Sequence, residues 1–295
     1  MNPRVGKYKL CHYRNLPPIV TITATSSNDI YVLAEQSEDW LCFLAYNHLE
    51  NTWEKRASVR RVQIEECDTQ RDHLVEGDGH LYYLGYAVSM TGDGLVILDK
   101  YNHHTDQWQV CSSPDHGEPY MLFSNKAVSC GPHLYFFGSS EMHRYDPKED
   151  QWCRLTPPRN LYQLCTAVAM GTEIFCTNLD LSKMLVYDTQ SDSWDDLPRW
   201  PNTNQSPVDL SGPAVFVLQG QLHILTRGRS SEEVRIKRVS VCDRSTGVWQ
   251  DLDGLPDDHW YWDHPDCPVA RMYLPCLNTN RDDAQSSTSL QDTSD

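Results

Sequence analysis

Five times along the chain an aromatic residue or its stand-in is followed seven positions later by tryptophan: Tyr46 and Trp53, Tyr101 and Trp108, Tyr145 and Trp152, Tyr187 and Trp194, and a degenerate fifth copy, Cys242 and Trp249. The residue after each first position is Asn47, Asn102, Asp146, Asp188 or Asp243, an Asx side chain at one fixed phase. Such a segment reads as a strand ending in Tyr-Asx, a polar turn, and a returning strand opened by Trp. Ahead of each copy stands a short apolar run rich in β-formers: Ile30-Tyr31-Val32-Leu33, Leu81-Tyr82-Tyr83-Leu84, Leu134-Tyr135-Phe136-Phe137, Ile174-Phe175-Cys176-Thr177 and Leu222-His223-Ile224-Leu225. A further strand-like segment precedes each run, at residues 19–25, 72–76, 127–130, 165–170 and 214–218. Four strands per unit, five units, is the organisation this implies. A chain built this way folds by stacking equivalent sheets, because no single unit can bury its own apolar faces.

The tryptophans follow one another at intervals of 55, 44, 42 and 55 residues, close to the period of about 50 expected of four-stranded propeller blades. Here the chain resembles the kelch repeat family, through the turn followed by a Leu-Tyr run and the Tyr-Asp-x5-Trp hairpin, over residues 19–252. The best copy is residues 132–157. The family's Gly-Gly pair after the second strand is degenerate, reading Ala34-Glu35, Gly85-Tyr86, Gly138-Ser139, Thr177-Asn178 and Thr226-Arg227. Divergent units of this kind, and the closing segment from Trp262-Asp263 to Pro275, resemble the kelch domains of kelch repeat and BTB domain-containing proteins. The resemblance implies an all-β kelch-type β-propeller of four-stranded antiparallel blades. Five blades are expected, closed by extra strand-like segments at residues 8–14 and 268–275; six blades, one of them split between the termini, is the alternative. The propeller is assigned to residues 1–276. Residues 277–295, almost free of apolar side chains, are expected to form a disordered polar tail.

Composition removes several function classes. Twenty-five Lys and Arg against 41 Asp and Glu give a net charge of −16, without the clustered positive footprint that nucleic acid or an anionic membrane surface requires. No apolar run reaches the length of about 18 residues needed for a membrane-spanning helix. The eleven cysteines are scattered with no C-x-x-C pair, which fits a reducing compartment, the cytoplasm first and the nucleus second, better than a disulfide framework. Phosphate-loop, nucleophile-elbow and H-E-x-x-H patterns are missing. The string nearest to an iron-binding E-x3-D-x3-H is Glu35-x3-Asp39, with Phe43 where the histidine would stand. Residues 251–267 hold six Asp, His259, His264 and Cys267, and read as a solvated acidic loop in preference to a metal site. His103 and His104 read as an exposed pair in a hairpin turn. Neither catalysis nor a metal or cofactor is expected.

In an up-and-down blade, the connections from second to third strand and from fourth strand to the next blade emerge on one side. On that side lie the long, varied segments 36–40, 56–71, 86–94, 111–123, 157–163, 198–212 and 227–233; mainly short turns lie on the other. Long loops on a rigid frame carry recognition. The candidate partner-binding residues are therefore Trp40, Arg60, Arg61, Tyr86, Tyr120, Arg159, Tyr162, Trp200, Arg227 and Arg229, the residue types enriched at interface hot spots. Arginines on one face of so acidic a chain suit a peptide bearing Asp, Glu or phosphate, although Glu35, Glu38, Asp39, Glu65, Glu66, Glu232 and Glu233 share these loops and leave the ligand's charge open. The resemblance implies a non-catalytic substrate receptor for a cullin-3 ubiquitin ligase, with a BTB domain outside this chain binding cullin-3. The alternatives are a cytoskeletal or actin-binding kelch scaffold and, third, an enzyme using the propeller channel.

Overall fold

The short apolar runs become the second strand of each sheet, and their burial shows why they are continuous rather than alternating. Leu134, Tyr135, Phe136 and Phe137 are all buried, yet Leu134 and Phe136 pack into one interior cluster and Tyr135 and Phe137 into another. A strand whose two faces each meet a neighbouring sheet has no solvent side to leave polar.

The computed structural model describes residues 16–50, 52–91, 94–114, 126–138, 141–158, 164–178, 181–197, 213–229, 235–252 and 255–256. It is an all-β propeller of five blades, each formed by four consecutive strands in antiparallel order. Blade 1 is β1 (Ile19–Ala24), β2 (Ile30–Glu35), β3 (Trp40–Asn47) and β4 (Thr52–Lys55), with β5 (Val59–Arg60) added beside β3. Blade 2 is β6 (Cys67–Gly77), β7 (His80–Ser89), β8 (Gly94–Asn102) and β9 (Gln107–Val110). Blade 3 is β10 (Lys126–Cys130), β11 (His133–Phe137), β12 (Met142–Asp146) and β13 (Gln151–Leu155). Blade 4 is β14 (Leu164–Met170), β15 (Glu173–Asn178), β16 (Met184–Asp188) and β17 (Ser193–Asp196). Blade 5 is β18 (Ala214–Leu218), β19 (Gln221–Arg229), β20 (Arg235–Asp243) and β21 (Val248–Asp251), with β22 (Leu255–Pro256) beside β20.

The first strands form the inner ring: β1 abuts β6, β6 abuts β10, β10 abuts β14 and β14 abuts β18. All five line one central channel of about 360 Å³, whose wall includes Thr21, His73, Ser129, Thr166 and Val215. Tight turns join first to second strands. At Asp78-Gly79 both residues have positive φ, 50° and 71°, the backbone of a two-residue hairpin turn whose twist matches the flanking strands. Every blade draws its four strands from one contiguous stretch. The segments 8–14 and 268–275, expected to close the ring, and the expected tail at 277–295 lie outside the described residues.

The Tyr-Asx-x5-Trp hairpin joins the third and fourth strands. Each Tyr and Trp are cross-strand partners, as in Tyr145 opposite Trp152 and Tyr187 opposite Trp194, with ring centroids 5.1 and 5.0 Å apart. The Asx oxygen explains its fixed phase. Asp146 Oδ1 accepts from the Lys148 and Glu149 amides, and Asn47, Asn102, Asp188 and Asp243 cap their own turns in the same way. Each capped turn thereby satisfies backbone N–H groups that the hairpin leaves unpaired.

The interfaces between blades carry a second repeated device. Tyr101, Tyr145 and Tyr187 donate their hydroxyls to Asp106, Asp150 and Asp192, five positions on. Those carboxylates also accept the amides of Ala57, Ser112 and Thr156, which belong to the preceding blade's exit, at 3.1, 2.9 and 3.1 Å. The carbonyls of the same three residues accept the indole N–H of Trp108, Trp152 and Trp194 at 3.1, 2.9 and 2.8 Å. Tyrosine, aspartate and tryptophan thus clamp one backbone unit of the neighbouring blade from both sides. Asp106, Asp150 and Asp192 each adopt a positive φ of 50–54°, a conformation that Asp tolerates better than most residues.

Candidate functional site

On the long-loop face, the chain leaving blade 1 does not wander as a loop. It folds back as β5, pairing Arg60 with Trp40 and Val59 with Leu41. Val59 is buried while Trp40 is 42% exposed, so the alternation of a short strand turns Trp40 and Arg60 outward together. Two of the expected recognition residues are thereby neighbours on one rigid edge, and the Arg61 amide bonded to the Asp39 carbonyl at 2.8 Å fixes it further.

Arg61 is used differently. Its Nε and a terminal nitrogen reach Asp72 Oδ2 at 2.8 and 2.7 Å, and the Asp72 side chain is 1% exposed. The Tyr83 hydroxyl donates to the other carboxylate oxygen at 2.7 Å. Burial, and then the adjacent Asp72 charge, hold the Tyr83 hydroxyl far above its ordinary range. A buried carboxylate needs compensating donors, and Arg61 and Tyr83 supply them. Gly85 makes this arrangement fit, because a Cβ there would stand 2.6 Å from the Tyr83 hydroxyl oxygen. Arg61 is therefore engaged inside the blade 1–blade 2 junction. Tyr86 lies in β7, buried in the cluster between blades 2 and 3, because the expected loop 86–94 is mostly the projecting end of the β7–β8 hairpin. The apolar groups this hairpin does expose are Met90 and Leu95, which the sequence reading did not single out.

Blade 5 departs from expectation in the same way. Segment 227–233 is not all loop: β19 continues to Arg229 and β20 begins at Arg235, pairing Arg227 with Lys237 and Arg229 with Arg235, while Arg238 faces Thr226 across the ladder. In register, Arg227 and Arg229 stand two apart on β19 and their partners Lys237 and Arg235 two apart on β20. Of these, only Arg227 and Arg229 were singled out from the sequence. Arg235 and Lys237 were missed, although their i, i+2 spacing is the signal a strand face would give. The expected residues Tyr120, Arg159, Tyr162 and Trp200 lie outside the described residues. Among the described residues, no group of three or more His, Cys, Asp or Glu side chains is arranged to hold a metal ion; most of segment 251–267 lies beyond them.

Five four-stranded blades bearing these repeats define a kelch-type β-propeller. No family model matches the chain. It is 29% identical over 231 residues to mouse Kelch-like protein 35, covering 75% of this chain and 36% of that protein. It is 26% identical over 301 residues to Kelch repeat and BTB domain-containing protein 8 of Xenopus tropicalis, covering 92% and 46%. It is 25% identical over 279 residues to human Kelch repeat and BTB domain-containing protein 6, covering 91% and 37%. The chain spans less than half the length of each of these relatives. Among solved structures, TolB from Acinetobacter baumannii shares the fold, with a TM-score of 0.50 at 15% identity over 82% of this chain and 55% of that one. The chain is thus a five-bladed β-propeller whose repeats resemble the kelch domains of these relatives.

Proposed function

We propose that this propeller is a non-catalytic recognition module whose long-loop face binds an acidic or phosphorylated segment of a protein partner, as the substrate-binding part of a cullin-3 ubiquitin ligase adaptor. The BTB domain that engages cullin-3 would lie in the part of such proteins that this chain does not match. The observation that carries the reading is the β19–β20 ribbon, where Arg227 stands opposite Lys237 and Arg229 opposite Arg235. Like charges placed directly across a ladder destabilise a sheet. A chain of net charge −16 that sets four cationic residues at directly paired ladder positions has an anionic ligand as a natural source of compensation. On blade 1, Trp40 and Arg60 offer the aromatic and arginine pair typical of a hot spot. The expected residues Tyr120, Arg159, Tyr162 and Trp200 belong to the same proposal.

The test pairs binding with folding. Partners recovered with the wild-type propeller are measured against Arg60→Glu, Arg159→Glu and Arg227→Glu, each with its melting temperature. A central arginine contributes about 2 kcal/mol or more, roughly thirtyfold in affinity. Variants that melt normally and bind as tightly as wild type overturn the assignment of the face. For the adaptor role, the full-length protein should co-purify with cullin-3; co-sedimentation with actin instead would favour the scaffold.

A further inference from the structure

The chain leaving blade 1 carries a charge pattern that neither the clamp nor the pairing of β5 explains. Lys55-Arg56-Ala57-Ser58-Val59 sets two cations two and three positions before a serine, with an aliphatic residue after it, and basic-directed protein kinases select their substrates by such charge patterns. The pattern occurs once more, as Lys237-Arg238-Val239-Ser240-Val241, and the fold treats the two serines oppositely. Ser240 lies inside β20, between Ile224 of β19 and Asp251 of β21. It is fully buried, with its hydroxyl bonded to Asp251 at 2.6 Å. Ser58 stands between β4 and β5 on the outer edge of its blade, outside either strand and partly exposed. Before it, Ala57 is held by the clamp; after it, β5 is two residues long and pairs with β3 alone.

We propose that Ser58 is a phosphorylation site for a basic-directed protein kinase, and that Ser240 is not. The Ser58 hydroxyl attacks the γ-phosphorus of the nucleoside triphosphate that the kinase holds. The bond from that phosphorus to the bridging oxygen breaks, the nucleoside diphosphate leaves, and the hydroxyl proton passes to the kinase's catalytic carboxylate. Val59 is buried, so the kinase takes the segment as β5 opens, and a two-residue edge strand is among the elements that open most readily. The folded surface then has donors for the product. Gln36 Oε1 accepts both the Ser58 hydroxyl and the Lys55 ammonium, at 2.7 and 3.1 Å. A phosphate on Ser58 therefore meets Lys55, and the exposed Gln36 amide can turn its NH2 group toward the new acceptor. Glu54, the nearest carboxylate in the sequence, is held by Arg56. Arg60, also exposed, follows immediately after Val59. A phosphate adds a charge of about −1.5 to −2 beside the Trp40–Arg60 pair and cancels the cation which that edge offers. The modification thereby turns the edge off for an acidic partner, a consequence that rests on the recognition role proposed above; the site itself does not.

The experiment incubates the full chain with the catalytic subunit of cyclic-AMP-dependent protein kinase and magnesium ATP, and follows each serine by peptide mass analysis. Synthetic peptides of residues 53–63 and 235–245 give the rates without the fold. Both peptides should be modified, whereas in the folded chain Ser58 should react about tenfold faster than Ser240 or more, because an interior strand needs wider opening. Arg56→Ala, which removes an exposed cation, should slow modification of Ser58 by about tenfold. A peptide 53–63 that is not modified, a folded chain not modified at Ser58, or equal rates at Ser58 and Ser240 would each overturn the site. An Arg56→Ala chain modified as fast as wild type would overturn the kinase class. Phosphorylated chain should bind a partner recovered with the unmodified propeller about tenfold more weakly, and undiminished binding would overturn the link to the Trp40–Arg60 edge. Arg60→Glu separates the two readings: if that variant also binds as wild type does, the recognition role of the edge fails while phosphorylation of Ser58 stands.

Discussion

One carboxylate oxygen of Asp150 holds two blades together: it accepts the hydroxyl of Tyr145 in its own hairpin and the amide of Ser112 in the blade before. The Ser112 amide bond, then the hydroxyls of Tyr145 and Ser112, hold the Asp150 carboxyl below its ordinary range. The Tyr101 hydroxyl does the same for Asp106, and the bonds from Tyr187 and Thr156 outweigh burial at Asp192. An acid whose folded pKa is depressed contributes stability that is complete above its unfolded value, about 3.9, and is lost as pH falls through the folded value. Asp150→Asn, which keeps an acceptor oxygen and tolerates the positive φ, should therefore be less stable than wild type at neutral pH, with the gap closing as pH falls below about 4. Urea titrations of both proteins at neutral pH and near pH 3.5 measure it; a gap independent of pH would mean that the charge is not what the clamp uses. Trp152 separates packing from hydrogen bonding in the same device. Trp152→Ala should cost about 3 kcal/mol, the lower end for a large aromatic because Trp152 is half-buried. Trp152→Phe should recover all but about 1 kcal/mol, the hydrogen bond to the Ser112 carbonyl.

At the scale of the element, two adjacent arginines in one connection have opposite fates. Arg60 sits at an outward register position of β5, opposite Trp40, and Arg61 turns in to neutralise Asp72. Arg61→Ala leaves a buried charge half-compensated and should cost about 3–5 kcal/mol, whereas Arg60→Ala should stay within about 0.5 kcal/mol of wild type. Denaturant midpoints of the two variants check the contrast, and equal midpoints would refute it. No sequence pattern separates these neighbours, because the difference comes from Asp72 and Tyr83, brought in from another blade. The second strands and the Tyr-Asx-x5-Trp hairpins were legible for a local reason. Their apolar runs and Asx caps act within a few residues of themselves. The projecting hairpins of blades 2 and 5 were not. Gly85-Tyr86 and Thr226-Arg227-Gly228 carry the residues that usually break strands, and the backbone ladder runs through them because the partner strands continue opposite. The aspartates of the clamp stood in plain view, at the fifth position after Tyr101, Tyr145 and Tyr187. Their role was hidden, since the amide each one binds comes 36–49 residues earlier in the chain.

Across the whole molecule, stability is shared between consecutive interfaces, as in other repeat architectures, so among the described interfaces the one between blades 4 and 5, where Cys242 and Gly247 stand at the tyrosine and aspartate positions of the clamp, is the place to expect first opening. The repeat contains its own explanation for that loss. The exit residue that donates its amide is the fourth after the tryptophan, Ala57, Ser112 and Thr156 in blades 1 to 3, and the same count in blade 4 falls on Pro198, outside the described residues. Proline has no N–H, so the repeat position that donates elsewhere carries no donor in blade 4, and Gly247 stands at the aspartate's position with a φ of 69°. The two departures are expected to be coupled, and a double-mutant cycle tests it. Gly247→Asp alone places a carboxylate against an exit without a donor, and Pro198→Ser alone supplies a donor without an acceptor. Neither should stabilise the protein. Combined, they restore the charge-assisted bond of the other interfaces, and their coupling should exceed the sum of the single effects by about 1 kcal/mol or more. Hydrogen exchange gives the spatial reading: peptides from β19–β21 should exchange faster than those from β11–β13 in the wild type and slow in the double variant. Additive effects within about 0.5 kcal/mol, or β11–β13 exchanging first, would show that the clamp does not set the order in which the blades separate.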